Sequence, residues 1–323
     1  MKATKPFIVA ILLSVLGSAP CVLAAEEYPT KPIRLLTPFA PGGGTDILAR
    51  LIGPQVSEAL GATIVVDNRP GAGGTLGAAI AVRAAPDGYT LIMVSGSYGA
   101  NPVVHNLPYD SVKDITPIVL IGETGLVASM NPATPIKTIK DLIAYAKANP
   151  GKLHFGSAGV GGLGHLSQER FRLATGVDIT HVPYKGSGPV MNALLSGEVQ
   201  SSFSSLVPSI PHIRAGRLRA LGVTPPWRVE ALPDVPTISE TVPGFEVIHW
   251  YGVWGPKGIP AEIVTRLNRE FAKVLHSPKM STWFANEGMR PAGGPPKQFE
   301  DRIRSDVDKW LKLAKEAKIG RFK

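Results

Sequence analysis

The chain has 323 residues, of which 44% are hydrophobic and 18% are charged, as in an ordinary globular protein. A chain of this length exceeds the size at which a single hydrophobic core usually stops growing, so two domains are expected. The net charge of +9 favours anionic partners through long-range attraction, and the single cysteine, Cys21, excludes a disulfide framework.

The N-terminus has the three parts of a secretory signal peptide. Lys2 and Lys5 supply positive charge, residues 7–16 form an apolar stretch too short to span a bilayer, and Ala24 ends an A-x-A-like cleavage site. We therefore expect residues 1–24 to be removed and the mature chain to reside in the periplasm. Because Cys21 leaves with the signal peptide, the mature chain has no thiolate for a metal site or a nucleophile.

Short runs of β-forming residues alternate with helical periods, which is typical of an α/β fold. In the first part of the chain, helices are predicted after Gly44 and at 78–85. Pro54 is expected to kink or split the first of these helices. The predicted strands of this part are 32–39, 63–66, 90–94, 115–120 and 125–130.

The pattern restarts after Met130. A helix begins at Thr138, which is predicted to form a capping box with Asp141. Two amphipathic helices, one from Pro260 and one around Trp310, finish the chain. Between the helix at Thr138 and the helix at Pro260, further helices are predicted through Leu173 and at 188–196. The strands predicted in this part are 153–157, 179–184, 199–203, 218–223 and 245–254.

A strand, a glycine-rich loop and a helix occur together near residue 40 and again near residue 158. We expect two α/β lobes, with residues 25–123 and 246–323 in domain 1 and residues 124–245 in domain 2. Ligands of open α/β sheets bind where loops leave the carboxyl ends of the strands. Both glycine loops should therefore face the cleft between the lobes.

The glycine loops are candidate anion sites. The loop Ala40–Asp46 has three consecutive glycines before a helix, so bare N–H groups can hold an anion, although a plain strand-to-helix turn has the same pattern. Residues 71–75 have the same character. Residues 159–164 match G-x-G-x-x-G, but the acidic residue that a dinucleotide site needs about 20 positions later is missing, so no cofactor is expected.

Motifs for catalysis, metal binding and nucleic-acid binding are missing from the sequence. It has no G-x-S-x-G or H-E-x-x-H motif, and its seven histidines lack metal-ligand spacing. The basic segment 212–219 lacks the aromatic residues of a single-strand binder, so nucleic acid is not an expected partner. His165 either touches a ligand or bonds loop backbone. The aromatic residues Trp250, Tyr251 and Trp254 are expected to pack rather than to bind.

Seven short motifs follow one another along the chain. They are Tyr28-Pro29 with Pro32-Ile33, Pro38-Phe39 with Gly42 to Asp46, Asn68 to Gly74, Pro86 to Thr90, Gly156 to Gly159 with His165-Leu166, Pro183 to Gly186, and His212 to Gly216. Taken in this order, they resemble the Bug family of periplasmic binding proteins, the solute receptors of tripartite tricarboxylate transporters.

This resemblance implies a Venus-flytrap fold that closes on a small carboxylate, such as an amino acid, a di- or tricarboxylate or an aromatic acid. It implies a monomeric receptor that serves membrane transporter subunits, needs no cofactor and does no chemistry. The ligand contacts carried over from the family motifs form two jaws. The first jaw is Phe39, Gly43, Gly44, Thr45, Asp46, Ala72 and Gly73, and the second is Ser157, Gly159, Gly161, His165, Tyr184 and Lys185.

The chain departs from the family at one strand, which also contributes Ser204 to the predicted site. Many relatives have acidic residues near Gln200 and Ser204, where this chain has mostly serine. Because a ligand ammonium loses its partner, we expect a plain carboxylate and not an amino acid. Two alternatives stay open: a sensor for a membrane signalling protein, and a secreted hydrolase that uses Ser157 or Ser205, for which the sequence places no base.

Overall fold

The computed structural model describes residues 28–316, so the predicted signal peptide lies outside the described residues. The first lobe begins with three strands that alternate with helices. These elements are β1 (Ile33–Thr37), α1 (Gly44–Leu60), β2 (Ile64–Asn68), a 3₁₀ turn (Ala72–Gly74), α2 (Thr75–Val82), β3 (Thr90–Ser95) and α3 (Ser97–Val104).

The chain then passes through a long strand, β4 (Ile115–Met130), into the second lobe. That lobe contains α4 (Ile139–Ala148), β5 (His154–Ser157), α5 (Leu163–Thr175), β6 (Thr180–Pro183), α6 (Ser187–Ser196), β7 (Ser201–Ser205), α7 (Leu206–Arg214), β8 (Arg219–Val223) and a 3₁₀ turn (Ile238–Glu240). The chain returns through β9 (Ile248–Pro256) to α8 (Ala261–Leu275), α9 (Pro278–Asn286), β10 (Arg290–Pro291) and α10 (Pro296–Glu316).

The strands are hydrogen bonded in the order β2-β1-β3-β9-β4-β7-β5-β6. β1 is parallel to β2 and β3, and β5 is parallel to β6 and β7, whereas β4 and β9 are antiparallel to their neighbours. β4 pairs with β9 up to Gly125 and with β7 from Leu126 onward. β4 and β9 therefore form the connection between the lobes. The predicted domain boundaries lie close to this connection and remain a proposal.

Apolar side chains cover both faces of each sheet. In the first lobe, Leu48 and Phe271 belong to a cluster on the side of α1 and α8, and Phe299 belongs to a cluster with α2 and α10. In the second lobe, Phe171 of α5 lies in a cluster that Trp310 of α10 also joins. The last helix therefore packs against both lobes and braces them from one side.

Several local predictions can be compared with the observed elements. The capping box of Thr138 and Asp141 is present at the start of α4. Pro54 does not split α1, because buried residues on both sides of it, including Ile52 and Val56, hold the helix against the sheet. The runs at 115–120 and 125–130 are one continuous strand, β4, and the short helices α3 and α9 were not predicted. None of the helices within residues 28–316 combines the length and apolar character needed to cross a membrane.

Candidate ligand-binding cavity

A cavity of about 40 Å³ lies between the lobes, where β1, β3, β5, β6 and β7 end and the following helices begin. A space of this size holds roughly three water molecules. The first lobe lines it with Phe39, Gly43, Gly44, Thr45, Ser95 and Ser97. The second lobe lines it with Ala158, Leu163, Gly164, Ser187, Val190 and Ser202–Ser205, and the connecting strands β4 and β9 add Leu126, His249 and Tyr251.

The N-termini of five helices reach this cavity: α1, α3, α5, α6 and α7. In none of these five does the side chain of the N-cap residue bond a helix N–H, whereas the outer helices α4 and α9 are capped by Thr138 and Ser277. At the start of α5, one N–H, that of Leu163, donates to Oγ of Ser97. The first N–H groups of a helix have no partner inside the helix, and together with the helix dipole they favour a negative charge. Five such termini make the cavity attractive to an anion.

Polar side-chain atoms in the cavity wall are buried without a partner. The hydroxyls of Thr45, Ser202 and Ser204 and Nδ1 of His249 have no hydrogen bond within the described part of the chain. Each of these four side chains is at most 5% exposed. A buried polar atom without a partner costs about 1–3 kcal/mol of stability. A polar ligand in the cavity can supply the missing hydrogen bonds.

The cavity wall contains hydroxyl groups among apolar side chains but carries no formal charge. Among the described residues that line it there is no Asp, Glu, Lys or Arg. Burial, and secondarily the nearby Arg302, lowers the pKa of His249 to about 3, so this ring is neutral at neutral pH. An anion here meets dipoles and hydroxyls instead of a cationic side chain, and a ligand ammonium meets no carboxylate.

Tyr251 of β9 closes the cavity against the start of α1. Its hydroxyl lies 2.6 Å from Oγ of Ser205, which links the connecting strand to β7. Burial raises the pKa of Tyr251 well above its ordinary value, so the phenol stays protonated and can donate a hydrogen bond. A Cβ at Gly44 would overlap this hydroxyl, which explains why a residue without a side chain stands there.

The predicted residues of the first jaw lie at or near the wall. Phe39, Gly43, Gly44 and Thr45 line the cavity. Asp46 lies behind it, where its carboxylate accepts hydrogen bonds from the Gly42 N–H at 3.0 Å, from Arg50 and from Asn68. Gly73 lines a small adjoining pocket that shares Phe39 and Ser95 with the cavity, and Ala72 begins the same turn.

The six predicted residues of the second jaw do not line this cavity, whereas Ser204 of β7 does. Lys185 contributes only its carbonyl oxygen, which accepts a hydrogen bond from the Ala40 N–H across the lobes at 3.0 Å. Tyr184 donates to Glu198 at 2.6 Å, and burial together with this carboxylate raises its pKa to about 12. Gly159 and Gly161 lie in the loop that faces Gly73 and His105 of the first lobe.

Ser157 and His165 lie behind the second-lobe wall. Oγ of Ser157 is 2.6 Å from Nε2 of His181, so the structure places a base that the sequence did not reveal. However, Ser157 does not line the cavity, and this pair connects the start of the loop to β6. Nδ1 of His165 accepts a hydrogen bond from the Gly161 N–H at 3.1 Å. His165 thus contacts the loop backbone.

The sequence interpretation missed several cavity residues. The serines Ser95, Ser97 and Ser187 stand at a strand end or a helix start, which is the signal that could have identified them. Ser202 lies within β7 and has no such signal. His249 and Tyr251 alternate with the core residue Trp250 along β9, so their common face points to the cavity. Within residues 28–316, no group of His, Cys, Asp or Glu is placed to hold a metal ion.

Two α/β lobes joined by two strands around a polar cavity define a bilobal solute-binding protein. The family model TctC, the tripartite tricarboxylate transporter family receptor, matches residues 48–319. The chain belongs to this family of periplasmic receptors. Its members are solute-binding proteins without enzymatic activity, so family membership confirms the expected receptor and rules against the hydrolase alternative.

Individual relatives are similar over nearly the whole chain. Protein BugT of Bordetella pertussis is 35% identical over 314 residues, which cover 96% of each protein. R. palustris Rpa4515, solved with adipate, has 38% sequence identity to this chain. The two structures have a TM-score of 0.88, over 92% of this chain and 100% of Rpa4515. MatC from Rhodopseudomonas palustris, solved with bound malate, is 32% identical, with a TM-score of 0.85 over 88% and 99% of the two chains.

Proposed function

We propose that this receptor captures a small organic carboxylate, such as a di- or tricarboxylate or an aromatic acid, in the cavity between its lobes. The observation that carries the proposal is the convergence of five uncapped helix N-termini on four unpaired buried polar atoms. The adipate and malate of the related structures Rpa4515 and MatC support the same chemical class.

The cavity further favours a ligand without an ammonium group. A buried ammonium needs an acceptor of matching charge, and the described lining residues include no carboxylate. An α-amino acid should therefore bind much more weakly than the acid that lacks its amino group. Equal affinity for the two would contradict this part of the proposal.

The receptor is also proposed to work in the periplasm with a membrane transporter. Export through the predicted signal peptide would deliver a monomer to the periplasm, where it passes its ligand to the membrane subunits of a tripartite tricarboxylate-type transporter. Recovery of these subunits with the loaded receptor, and not with the ligand-free receptor, is the expected result of a pull-down.

The ligand class can be tested by thermal unfolding of the mature protein with a panel of carboxylates and their amides. The protein is first unfolded and refolded to remove any bound molecule. A ligand that binds only the folded state stabilises it by about 2.7 kcal/mol at 100 times its dissociation constant. We expect a higher melting temperature with at least one acid and no change with its amide. If the panel includes both aliphatic and aromatic acids and none raises the melting temperature, the carboxylate assignment fails.

A further inference from the structure

A pair of stacked histidines lies directly behind the second-lobe wall of the cavity. The rings of His165, from α5, and His181, from β6, are parallel to within 14° with their centroids 3.9 Å apart. His165 is 3% exposed, and neither ring lines the cavity. The pair therefore does not form the cavity wall but contacts the neighbouring loop.

The pair contacts the glycine loop 157–164 at two points. His181 is hydrogen bonded to Ser157 at the start of the loop, and His165 accepts the N–H of Gly161 in its middle. Ala158, Leu163 and Gly164 of the same segment form part of the cavity wall. Two imidazole rings outside the cavity lining therefore contact the segment that forms this part of the wall.

The same loop also carries a contact between the lobes. The carbonyl of Val160 accepts a hydrogen bond from Nε2 of His105, which directly follows α3 of the first lobe, at 3.0 Å. The N–H of Leu163 donates to Oγ of Ser97 at 3.0 Å, again across the lobes. A displaced loop would therefore change both the wall and the closure of the lobes.

We infer that His165 and His181 are positioning residues that hold the glycine loop for ligand binding only while both rings are neutral, so that acid weakens the binding. The inference rests on the proposed function, since it concerns the same cavity. If His165 were protonated at Nδ1, two hydrogen-bond donors would face each other, and the bond from the N–H of Gly161 would be lost. Two charged rings at 3.9 Å would also repel each other.

The surroundings of the pair lower the pKa of both histidines, with one exception. Burial, and secondarily His105, lowers the pKa of His165 to about 4. Burial and the neighbouring His165 lower the pKa of His181 to about 4, whereas Glu169 has the opposite effect. Glu169 is itself paired with Arg172 at 2.9 Å. Because both pKa values are lowered when the loop is in place, the neutral rings stabilise this position of the loop above the ordinary histidine pKa of about 6.5. This stabilisation is lost as the pH falls towards 4.

The test compares the wild type with the double variant His165→Asn and His181→Gln. The amide groups can accept or donate at the positions of Nδ1 and Nε2 but do not titrate. The dissociation constants of malate and adipate are measured by calorimetry at about pH 7 and about pH 5. The carboxyl groups of each probe also titrate in this range, but this effect is the same for all variants and cancels when they are compared. His276→Asn, which removes an exposed histidine at the end of α8, is the matched control.

We expect the wild type and the control to lose affinity between these pH values at least about tenfold more than the double variant. Parallel losses in all three proteins would overturn the inference. A second measurement needs no ligand: the amide signal of Gly161 in a ¹⁵N spectrum should shift with pH in the wild type and not in the double variant. If that signal does not move down to about pH 4, the inference fails whichever acid the receptor binds.

Discussion

Two serines of β7 have different roles. Ser201 donates a hydrogen bond to the carbonyl of Ser129 at 2.9 Å, which ties β7 to β4. The hydroxyl of Ser204 is buried and has no partner in the described part of the chain. The first serine stabilises the fold, and the second is available to the proposed carboxylate.

The substitution Ser204→Ala should separate binding from stability. Because it removes a buried hydroxyl without a partner, the melting temperature of the ligand-free protein should stay constant or rise. The affinity for the carboxylate found in the thermal panel should fall about tenfold, as expected for one lost hydrogen bond to a charged group. Calorimetry and thermal unfolding measure the two effects.

Ser201→Ala is the matched control for this prediction. It should lower the free energy of unfolding by about 1 kcal/mol and leave the affinity nearly unchanged. If Ser204→Ala instead destabilises the free protein and binds the acid normally, Ser204 is structural and the assignment of this hydroxyl to the ligand is wrong.

The N-termini of α4 and α1 differ in how their first N–H groups are bonded. α4 on the outside is closed by a capping box, in which Thr138 accepts the N–H of Asp141 and the carboxylate of Asp141 accepts the N–H of Thr138. α1 at the cavity has glycine at its cap and no side-chain hydrogen bond there. Its first N–H groups thus stay available for an anion.

Gly44→Ala at the start of α1 should strongly reduce ligand binding. The new methyl group would collide with the hydroxyl of Tyr251 and displace it from Ser205. We expect at least a tenfold loss of affinity together with about 1–3 kcal/mol of overpacking strain. Thr138→Ala provides a control that costs about 1 kcal/mol at a helix start far from the cavity. Normal binding by Gly44→Ala, or equal losses of affinity in both variants, would contradict this account of α1.

Elements with strong local signals were predictable from the sequence. The strands before the glycine loops, the cap at Thr138 and the amphipathic α8 and α10 follow from patterns within a few residues of each element. α3 was missed because its eight residues include Pro102 and are almost all buried, so no amphipathic period is visible. β4 was divided in two because the sequence does not show that both halves extend one strand through two sheets.

The candidate site was predictable only where it is local. The loop Gly43–Thr45 combines glycine, a strand end and a helix start within one short segment. His249 and Tyr251 reach the cavity from a strand that lies far away in the sequence, and their role depends on which face of β9 points inward. His165 was correctly placed near the loop, but only the fold shows that it lies behind the wall.

The lobes meet at the rim of the cavity through backbone groups. The N–H of Ala40 donates to the carbonyl of Lys185 at 3.0 Å, and a Cβ at Gly188 would overlap the carbonyl of Pro41. The space between the lobes holds roughly three water molecules. Malate, with four carbon and five oxygen atoms, is larger than this space. We therefore expect the lobes to separate when such a ligand enters and to close again around it.

Gly188→Ala should hinder this closure without disrupting either lobe. Its methyl group would press on the first-lobe loop, so the receptor should show a larger radius of gyration by X-ray scattering with the acid present and a weaker affinity. Asn192→Ala, one turn further along α6 and exposed, should close normally. A Gly188→Ala variant that closes and binds like the wild type would show that this contact does not limit closure.

The central claim is that the cavity recognises a carboxylate, and titration calorimetry of the refolded receptor with one acid and its primary amide tests it most directly. The two compounds have nearly the same shape, so their difference in affinity measures the preference for the negative charge. We predict that the acid binds at one site per chain and at least about a hundredfold more tightly than the amide, equivalent to about 2.7 kcal/mol. Equal binding of both compounds would contradict the account, because the helix N-termini would then not select an anion.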